Sequence, residues 1–580
     1  MGTFDALSIG AKALLAQQDA LQIAGHNIAN VNTPGYSRQR VDFSAALPQI
    51  RSYGILGRGV EISTIGRMAD EYLESRLRDA SSGSKYLETL ETAYKSLEVF
   101  FNELTDSDLS SAFNTFNGAL SDLANNVEDE STRGVVVEQA QTFAEFVRNL
   151  AESIRQFRYK LDEDASIVTE RINTLTRNIA DLNYQITNSE GGGALGVSAN
   201  DLRDKRGEAL KELSGLISIK THEDPNGAVN VSVGGRLLVF QGESFEVATI
   251  VNDTTGLPVH DVVLAEDKSR LVLTAGKLHG ILEARDSIIP GFQKELDTLA
   301  GTYMWEFNKI HTGGVGLKGF SSVTAVNGVE DLTTALDKVG FYFNPVEGTY
   351  KIQNGSFTLN VRNEVTGEVK SYNVDVDLDG YGNNDTVLDD PASGRGLVQL
   401  INGLGSHVVA STNPRNQLAL QSDSSSYTFT FANDTSNALA ALGIGTFFKG
   451  YDAATMDVND TLVADDGFVA AGKSFAAGDN ANVLALLDLR DAKLYQDGSR
   501  NFEDYYQGIV GRLGIESSRT TSRKTTQDDV LAQLANEREA LSGVSVDEEL
   551  VNVLQYQRSY QAAARFVTSL NAILETLLNM

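Results

Sequence analysis

Three glycines in the middle of the chain, Gly314, Gly316 and Gly319, have the spacing of a dinucleotide-binding loop. Such a loop binds pyrophosphate when a strand precedes it and a helix follows, because the helix N-terminus supplies amide donors. Here a predicted helix precedes the glycines, and Phe320 and polar residues follow them. The spacing therefore indicates a glycine-rich connector rather than a nucleotide site.

Four further residues, Asp375, Asp377, Asp379 and Gly380, copy the opening of a calcium-binding loop. The twelfth position of that loop is Thr386, whereas calcium needs a bidentate carboxylate there. We interpret these acids as a solvated turn after a strand, and the question of whether they bind an ion stays open.

The histidines are dispersed, and none has the spacing of a metal-binding helix. The six are His26, His222, His260, His279, His311 and His407. The sequence also lacks a Walker-type phosphate loop and the nucleophile elbow of hydrolases. We therefore predict that the protein is not an enzyme and has no catalytic, cofactor-binding or metal site.

Composition describes a large acidic chain. Its 580 residues exceed what one core usually supports, and its formal charge of -30 disfavours nucleic acid and anionic membranes as partners. Cysteine is absent, so disulfides and thiolate sites are excluded. Gln17, Gln18 and Asp19 interrupt the region where a signal peptide would be apolar, which predicts a protein that is cytosolic or exported without a cleaved signal.

Both ends of the chain have helical periodicity. The N-terminal seam consists of Phe4, Leu7, Ala11, Leu14, Gln18, Leu21, Gly25 and Ile28. The C-terminal seam consists of Val546, Leu550, Val553, Gln557, Tyr560, Ala564, Val567, Asn571, Leu574 and Leu578. Ser545 and Glu548 form a capping box where the final helix should begin. An ordinary core-facing helix is the alternative interpretation of the N-terminal seam.

The longest periodic segment predicts a coiled-coil or bundle helix over 140–186, followed by the glycines at 191–193 and a shorter helix over 201–217. Alternation with a period of two then predicts strands from about 218 to 275, and a helical stretch follows over 277–310. Strand-like runs return between 320 and 450. They lie at 349–352, 357–361, 371–376 and 427–431.

These patterns predict an α+β multidomain fold, in which discontinuous terminal helical domains enclose inserted β-rich domains. We expect four parts. They are a terminal helical assembly domain (1–45 with 540–580), a long-helix bundle (46–217 with 277–319 and 485–539), a small β-rich segment (218–276) and a β-rich variable outer domain (320–484).

Residues 25–43 carry the most specific motif in the chain. Its central residues are Asn27, Ala29, Asn30, Asn32, Thr33, Pro34, Gly35, Tyr36 and Arg38. Thr33 is forced into an extended conformation by the proline, and Pro34 and Gly35 suit the centre of a type II turn. The motif closely resembles the N-terminal signature of flagellar rod, hook and hook-associated proteins.

The other end agrees with this resemblance, because residues 542–580 are similar to the C-terminal segment of the hook–filament junction members of that family. The run at 36–39 favours the same subgroup. Weaker similarity covers 201–213, 307–314, 442–450 and 478–480, and between about 320 and 440 little resemblance is found. A hook protein or the second type of junction protein is the alternative within the family, and an adhesin-like role of 320–450 is the alternative outside it.

The resemblance implies a structural protein of the bacterial flagellum that joins hook to filament by self-assembly through its terminal helices. It implies export by the flagellar type III apparatus to the cell exterior without a cleaved signal. The implied partners are further copies in a ring or tubular layer, the hook protein, the second junction protein and an export chaperone on the C-terminal helix. No nucleic acid or membrane partner and no cofactor is implied.

Two further expectations concern these ends. Helices with uncovered seams are marginal in water, so we expect the terminal helices to be frayed in the isolated chain and to fold on assembly. Arg38, Arg40, Arg558 and Arg565 lie within the terminal motifs, either as cations that pair with neighbouring subunits or as ordinary solvated arginines.

Overall fold

The computed structural model describes the backbone of residues 2–51, 54–101, 108–194, 197–252, 257–382 and 384–578. The chain divides into two compact units. One comprises Met1–Ala93, Tyr159–Asp286 and Ser517–Met580, and the other comprises Tyr94–Arg158 and Ser287–Glu516. This division is coarser than the four domains expected from the sequence, which stay a prediction. None of the described helices is long and apolar enough to cross a membrane.

Among the residues that the structure describes, seven helices contribute to the first unit. They are α1 (Gly2–Ala29), α2 (Glu71–Phe101, up to Ala93), α4 (Glu130–Ser189, from Tyr159), α5 (Asn200–Leu216), α6 (Lys277–Glu283), α12 (Phe502–Ser542, from Ser517) and α13 (Val546–Leu578). A short 3-10 turn covers Gly191–Gly193, and a π-helical turn begins at Ala284.

The strands of the first unit form four small antiparallel sheets. They are β1 (Gln39–Ala45) with β4 (Val60–Arg67), β2 (Gln49–Arg51) with β3 (Gly54–Leu56), β5 to β8 (Lys220–Glu223, Val229–Val233, Arg236–Phe240, Glu243–Ser244), and β9 (Val247–Asn252) with β10 (Val259–Leu264). The strands predicted between 218 and 275 are confirmed.

The second unit combines short helices with small sheets. Its helices are α3 (Leu109–Asn125), α7 (Ile289–His311), α8 (Leu397–Gly403), α9 (Ala438–Leu442), α10 (Asp460–Ala464) and α11 (Ala481–Asp488), together with the remaining parts of α2, α4 and α12. Its three sheets are β13-β12-β16 (Val369–Val376, Gly355–Asn363, Tyr427–Ala432), β11-β15-β14 (Ser322–Thr324, Leu418–Ser422, Val408–Thr412) and β17-β18 (Phe448–Lys449, Asp457–Val458).

The predicted long helix is confirmed within α4, whose 60 residues span about 90 Å at the standard helical rise. The fourteen apolar residues that recur at spacings of three and four from Ala140 to Ile186 lie on its buried stripe, and only Phe157 among them is half-buried. Apolar residues at spacings of three and four therefore identified both the element and its packed face.

The predicted strand at 349–352 is wrong. The segment is a loop in which Tyr350 has a φ of +55°, a left-handed conformation that interrupts an extended chain. Tyr350 and Ile352 are buried in the core of the β-rich region, and the Tyr350 hydroxyl donates to the carbonyl of Gly450. The apolar alternation of this segment comes from core packing of a loop rather than from strand pairing.

Candidate assembly site at the terminal motifs

The signature turn ends α1. The Tyr36 amide donates to the Thr33 carbonyl at 3.2 Å, and Gly35 between them has a φ of +77°. A side chain at this glycine would also lie 3.0 Å from Glu208 Oε2. The turn predicted around Pro34 and Gly35 is confirmed, and glycine is required there for two reasons.

Asn27 ties the last turn of α1 to the start of β1. Its buried side chain donates from Nδ2 to the Gln39 carbonyl (2.9 Å) and accepts at Oδ1 from the Gln39 amide (3.0 Å). The Tyr36 hydroxyl donates to the same Oδ1 at 2.7 Å. Because the amide side chain mimics a main-chain partner, β1 gains a hydrogen-bonded neighbour at its first residue.

Three more side chains reinforce this turn. Asn30 Nδ2 donates to the His26 carbonyl (3.0 Å), and Thr33 Oγ1 donates to Asn30 Oδ1 (3.2 Å). His26 Nδ1 lies 3.1 Å from the Tyr36 hydroxyl. Burial, and then the nearby Asp201, raises the pKa of Tyr36 well above its usual range, so the phenol stays a donor.

Arg38 connects the N-terminal motif to the C-terminal motif. Its amide donates to the Ser542 carbonyl (2.9 Å), its Nε to Glu549 Oε1 (2.7 Å) and its Nη1 to Glu548 Oε2 (2.8 Å). The Glu549 side chain is buried. Arg38 therefore fixes the point at which the chain passes from α12 into α13.

The capping box at the start of α13 is only half formed. The Glu548 amide lies 3.5 Å from Ser545 Oγ as predicted, but the Glu548 carboxylate pairs with Arg38. Arg40 likewise pairs within the chain, with Asp42. Among the residues that the structure describes, Arg558 and Arg565 make no ion pair, so of the four motif arginines only these two are available to a neighbour.

Helix α5 supplies carboxylates that sequence reasoning did not assign to the site. Asp204 accepts from the Ser37 amide (Oδ2, 3.0 Å) and from Arg67 Nη1 (Oδ1, 3.0 Å). Asp201 accepts from Gln39 Nε2 at 2.9 Å. The weak similarity over 201–213 was the only sequence signal for these residues, because their partners lie more than 130 positions away.

Helices α1 and α13 pack as an antiparallel pair. Gly10 lies against Val567, whereas Ala24 and Asn27 line one cavity with Glu549 and Asn552 at the other end of the pair. The packed face of α1 consists of its small residues, Gly10, Ala16, Ala20 and Ala24, together with Asn27. Small side chains at intervals of four let two helices approach closely.

The predicted seam of α1 lies beside this packed face, whereas the predicted seam of α13 reaches it, because Val567 packs against Gly10. In α1, Leu7, Leu14, Leu21 and Ile28 are half-buried, and Phe4 is 69% exposed. In α13, Leu550 and Tyr560 are exposed, whereas Val553, Ala564, Val567 and Leu574 are half-buried. The side chain of Leu578 lies outside the described residues. Each helix thus keeps an uncovered apolar strip after the two have paired.

The remaining signature residues lie at the surface of the chain. Ala29, Asn32 and Pro34 are all exposed at the turn. Asn32 and Pro34 point to no partner among the hydrogen bonds described for this region. Their exposure distinguishes them from Asn27, Asn30 and Arg38, which hold the motif together.

The residues that resembled chemical sites have structural roles. His311 is buried, its Nδ1 lies 3.0 Å from the Gly445 carbonyl, and its Nε2 accepts from the Ala470 amide at 3.0 Å. Burial lowers the pKa of His311 to about 4, which keeps the ring neutral. At Gly314, an added side chain would collide with Asn482, so packing explains this glycine.

Two groups of acidic side chains, one in the loop at 375–380 and one around Asp465, make contacts within the chain. The Asp377 and Asp379 carboxylates accept hydrogen bonds from their own loop. In the part of the chain that the structure describes, one trio of carboxylates lies close together, Glu130, Asp465 and Asp466, and Lys318 pairs with its first two members.

Comparisons with known proteins agree with this geometry. Residues 94–324 match the model of the flagellar hook-associated protein FlgK helical domain. Residues 7–36 match the flagella basal body rod protein model, and residues 539–580 match the flagellar basal body rod FlgEFG protein C-terminal model.

Full-length relatives give the same result. The chain is 26% identical to flagellar hook-associated protein 1 of Bacillus subtilis over all of this chain and 98% of that protein. It is 25% identical to flagellar hook-associated protein 1 of Escherichia coli over 98% of both chains. The solved flagellar hook junction protein FlgK of Burkholderia pseudomallei shares the fold, with a TM-score of 0.50 at 18% identity, over 81% of this chain and all of that one.

The terminal helix pair and the signature turn define an axial protein of the bacterial flagellum, and these matches place the chain in that class. Within it, the full-length homologues of the chain are hook-associated proteins 1, and they indicate a structural junction component of the flagellum. Members of this class assemble with other flagellar axial proteins.

Proposed function

We propose that this protein joins the flagellar hook to the filament by packing its terminal helices against those of further copies. The terminal assembly domain, residues 1–45 with 540–580, forms a ring or tubular layer between the hook protein and the second junction protein. The chain is exported by the flagellar type III apparatus without a cleaved signal, and an export chaperone covers α13 before assembly. Similarity to hook-associated proteins along the full length supports the junction role.

The uncovered apolar strips on α1 and α13 carry the proposal. Pairing of the two helices covers the alanine face of α1 and leaves Leu7, Leu14 and Leu21 partly in contact with water. Covering apolar surface contributes roughly 25 cal/mol per Å². A tubular layer of helices would cover these strips from the side, which one chain cannot do.

The polar groups of the site support assembly indirectly. Asn27 and Arg38 make hydrogen bonds within the chain. They therefore set the positions of α1 and α13 rather than bind a neighbouring subunit. The fixed pair then presents its strips in one geometry, which lowers the entropy lost on association.

Deletion of residues 546–580 tests this function. We expect hooks without attached filaments, because one of the two seam helices is gone. Export of the truncated chain must be measured in the same cells, since α13 also carries the proposed chaperone site. Truncated chain in the medium together with normally attached filaments would refute the proposal.

A further inference from the structure

The two-stranded hairpin between β1 and β4 is an arm whose large apolar side chains are exposed in the part of the chain that the structure describes. The hairpin arm (residues 46–51 and 54–59) contains β2 and β3, which form a two-stranded sheet with each other. A lone two-stranded hairpin is marginal in water. Its apolar side chains are nevertheless exposed, with Leu47 and Ile50 at 82%, Ile55 at 71% and Leu56 at 45%.

The charge of this arm differs from that of the chain. Residues 46–59 contain no acidic residue, although the protein carries a formal charge of -30. Arg51 pairs with Asp5 of α1, whereas Arg58 is exposed and makes no ion pair among the described residues. The surface that covers this arm should therefore be apolar and acidic.

The beginning of α13 has those two properties. In its first nine residues, 546–554, Asp547, Leu550, Val551 and Leu554 occupy one face at helical spacing. All four are exposed, and Val551 is 62% exposed. Arg38 binds Glu548 and Glu549, whereas Asp547 makes no ion pair among the described residues. We call Asp547, Leu550, Val551 and Leu554 the acidic face of α13.

A single chain cannot bring these two surfaces together. The hairpin arm is anchored at the N-terminal end of α1, where Gly59 lies against Ile9 and Arg51 binds Asp5. The acidic face lies at the other end of α1, because Glu549 shares a cavity with Asn27. Ile9 and Asn27 are eighteen residues apart, which is about 27 Å along a helix.

We propose that the hairpin arm of one subunit docks onto the acidic face of α13 in a second copy, displaced by about 27 Å along the helix axes. The inference rests on the proposed self-assembly and adds a specific contact to it. The contact is heterologous, since each copy offers an arm and an acidic face to different neighbours. Repetition of such a contact builds a ring or a helical array.

Disulfide crosslinking tests this contact cleanly because the chain has no cysteine of its own. The double variant Ile55→Cys with Val551→Cys is assembled into flagella, which are isolated, oxidised and run on a non-reducing gel. We expect a ladder that reaches at least the trimer. A disulfide needs Cα atoms within about 7 Å, so a bond within one chain is excluded by the separation along α1.

The matched control is Ile55→Cys with Val272→Cys, because Val272 is 64% exposed in the same unit but outside both surfaces. Assembled flagella without a ladder, or with an equal ladder in the control, would overturn the docking. If the double-cysteine variant does not assemble, exchanging the two charges across the proposed contact provides the test. Arg58→Asp and Asp547→Arg should each lower the number of attached filaments, and their combination should restore it, whereas no restoration overturns the contact.

Failure of this contact is distinguishable from failure of the proposed function. If deletion of 546–580 abolishes filament attachment while the cysteine pair gives no ladder, the terminal helices assemble through another contact. If the deletion leaves attachment normal, the proposed function itself is wrong.

Discussion

Individual side chains in the signature motif make hydrogen bonds and ion pairs within the chain. Asn27 pairs with both main-chain groups of Gln39, and Arg38 holds the buried Glu549. These roles explain why particular residue types occur there: a neutral amide offers one donor and one acceptor, and a guanidinium offers several donors in a fixed fork. The motif therefore shapes the subunit that assembles.

Substitution Asn27→Ala should weaken the attachment of β1 to α1. The buried main-chain groups of Gln39 would lose their partners, which typically costs about 1–3 kcal/mol. Hydrogen exchange at the Gln39 amide measures this effect directly and should become faster. Asn32→Ala, at an exposed position of the same motif, is the control. Equally faster exchange in both variants would argue against a specific role of the Asn27 side chain in holding β1.

Substitution Arg38→Ala should loosen the start of α13. It leaves the Glu549 carboxylate buried without its cation, and such an unpaired group destabilises by about 1–3 kcal/mol. The exposed pair of Arg40 with Asp42 contributes only about 0–1 kcal/mol, so Arg40→Ala should be nearly neutral. A double-mutant cycle with Glu549→Gln checks the coupling, which should vanish if the two residues do not interact.

His311 should make the second unit sensitive to mild acid. Its pKa is lowered from about 6.5 in the unfolded chain to about 4 by burial. Between these values the unfolded chain binds the extra proton, so stability is complete above about pH 6.5 and falls towards about pH 4. Chemical unfolding measures the free energy of unfolding across this pH window, and this free energy should depend less steeply on pH in His311→Gln. An unchanged slope would contradict a lowered pKa of His311.

At the scale of elements, the central feature is that α1 pairs through alanine and leaves its leucines at the flank. The sequence pattern predicted both terminal helices and the turn between α1 and β1. It did not predict which face of α1 packs inside the chain, because Leu7, Leu14 and Leu21 satisfy helical spacing as well as Ala16, Ala20 and Ala24 do. The choice depends on how closely α13 approaches, which spacing alone does not contain.

Enlarging the alanine face should separate the pair. Ala20 is fully buried against its surroundings, and Ala20→Leu would overpack this site by about 1–3 kcal/mol. Circular dichroism during thermal unfolding should show an earlier loss of helix. Leu15→Ala, at an exposed position of the same helix, should leave the temperature of that transition unchanged.

The terminal helices should also be partly frayed before assembly. Both keep apolar strips in water, and helices of this kind gain most of their stability from packing. We therefore compare the circular dichroism of the full-length chain with that of a chain lacking residues 546–580. The helical signal lost on deletion should be smaller than the signal of 33 helical residues, which is the length of α13. A full loss of that signal would show that α13 is completely formed in the isolated chain.

For the whole molecule, the outer parts of the sequence were more informative than the middle. The ends carry motifs whose geometry follows from local chemistry, such as the proline and glycine at the turn. The β-rich region lacks such signals, and Tyr350 shows the consequence: a buried loop residue with positive φ alternates like a strand. The carboxylates of α5 were likewise missed, because contacts between distant segments leave no mark on one sequence.

The proposed joining of hook to filament depends most on neighbouring copies that cover the exposed apolar strips of the terminal helices. The variant Leu14→Asp with Leu21→Asp places two charges on the half-buried strip of α1 while sparing the alanine face, and Ile167→Asp, at an exposed position of α4, is the control. Electron microscopy of cells that secrete each chain counts hooks with attached filaments. We predict bare hooks for the double variant and normal attachment for the control, and normal filaments on cells secreting the double variant would contradict the account.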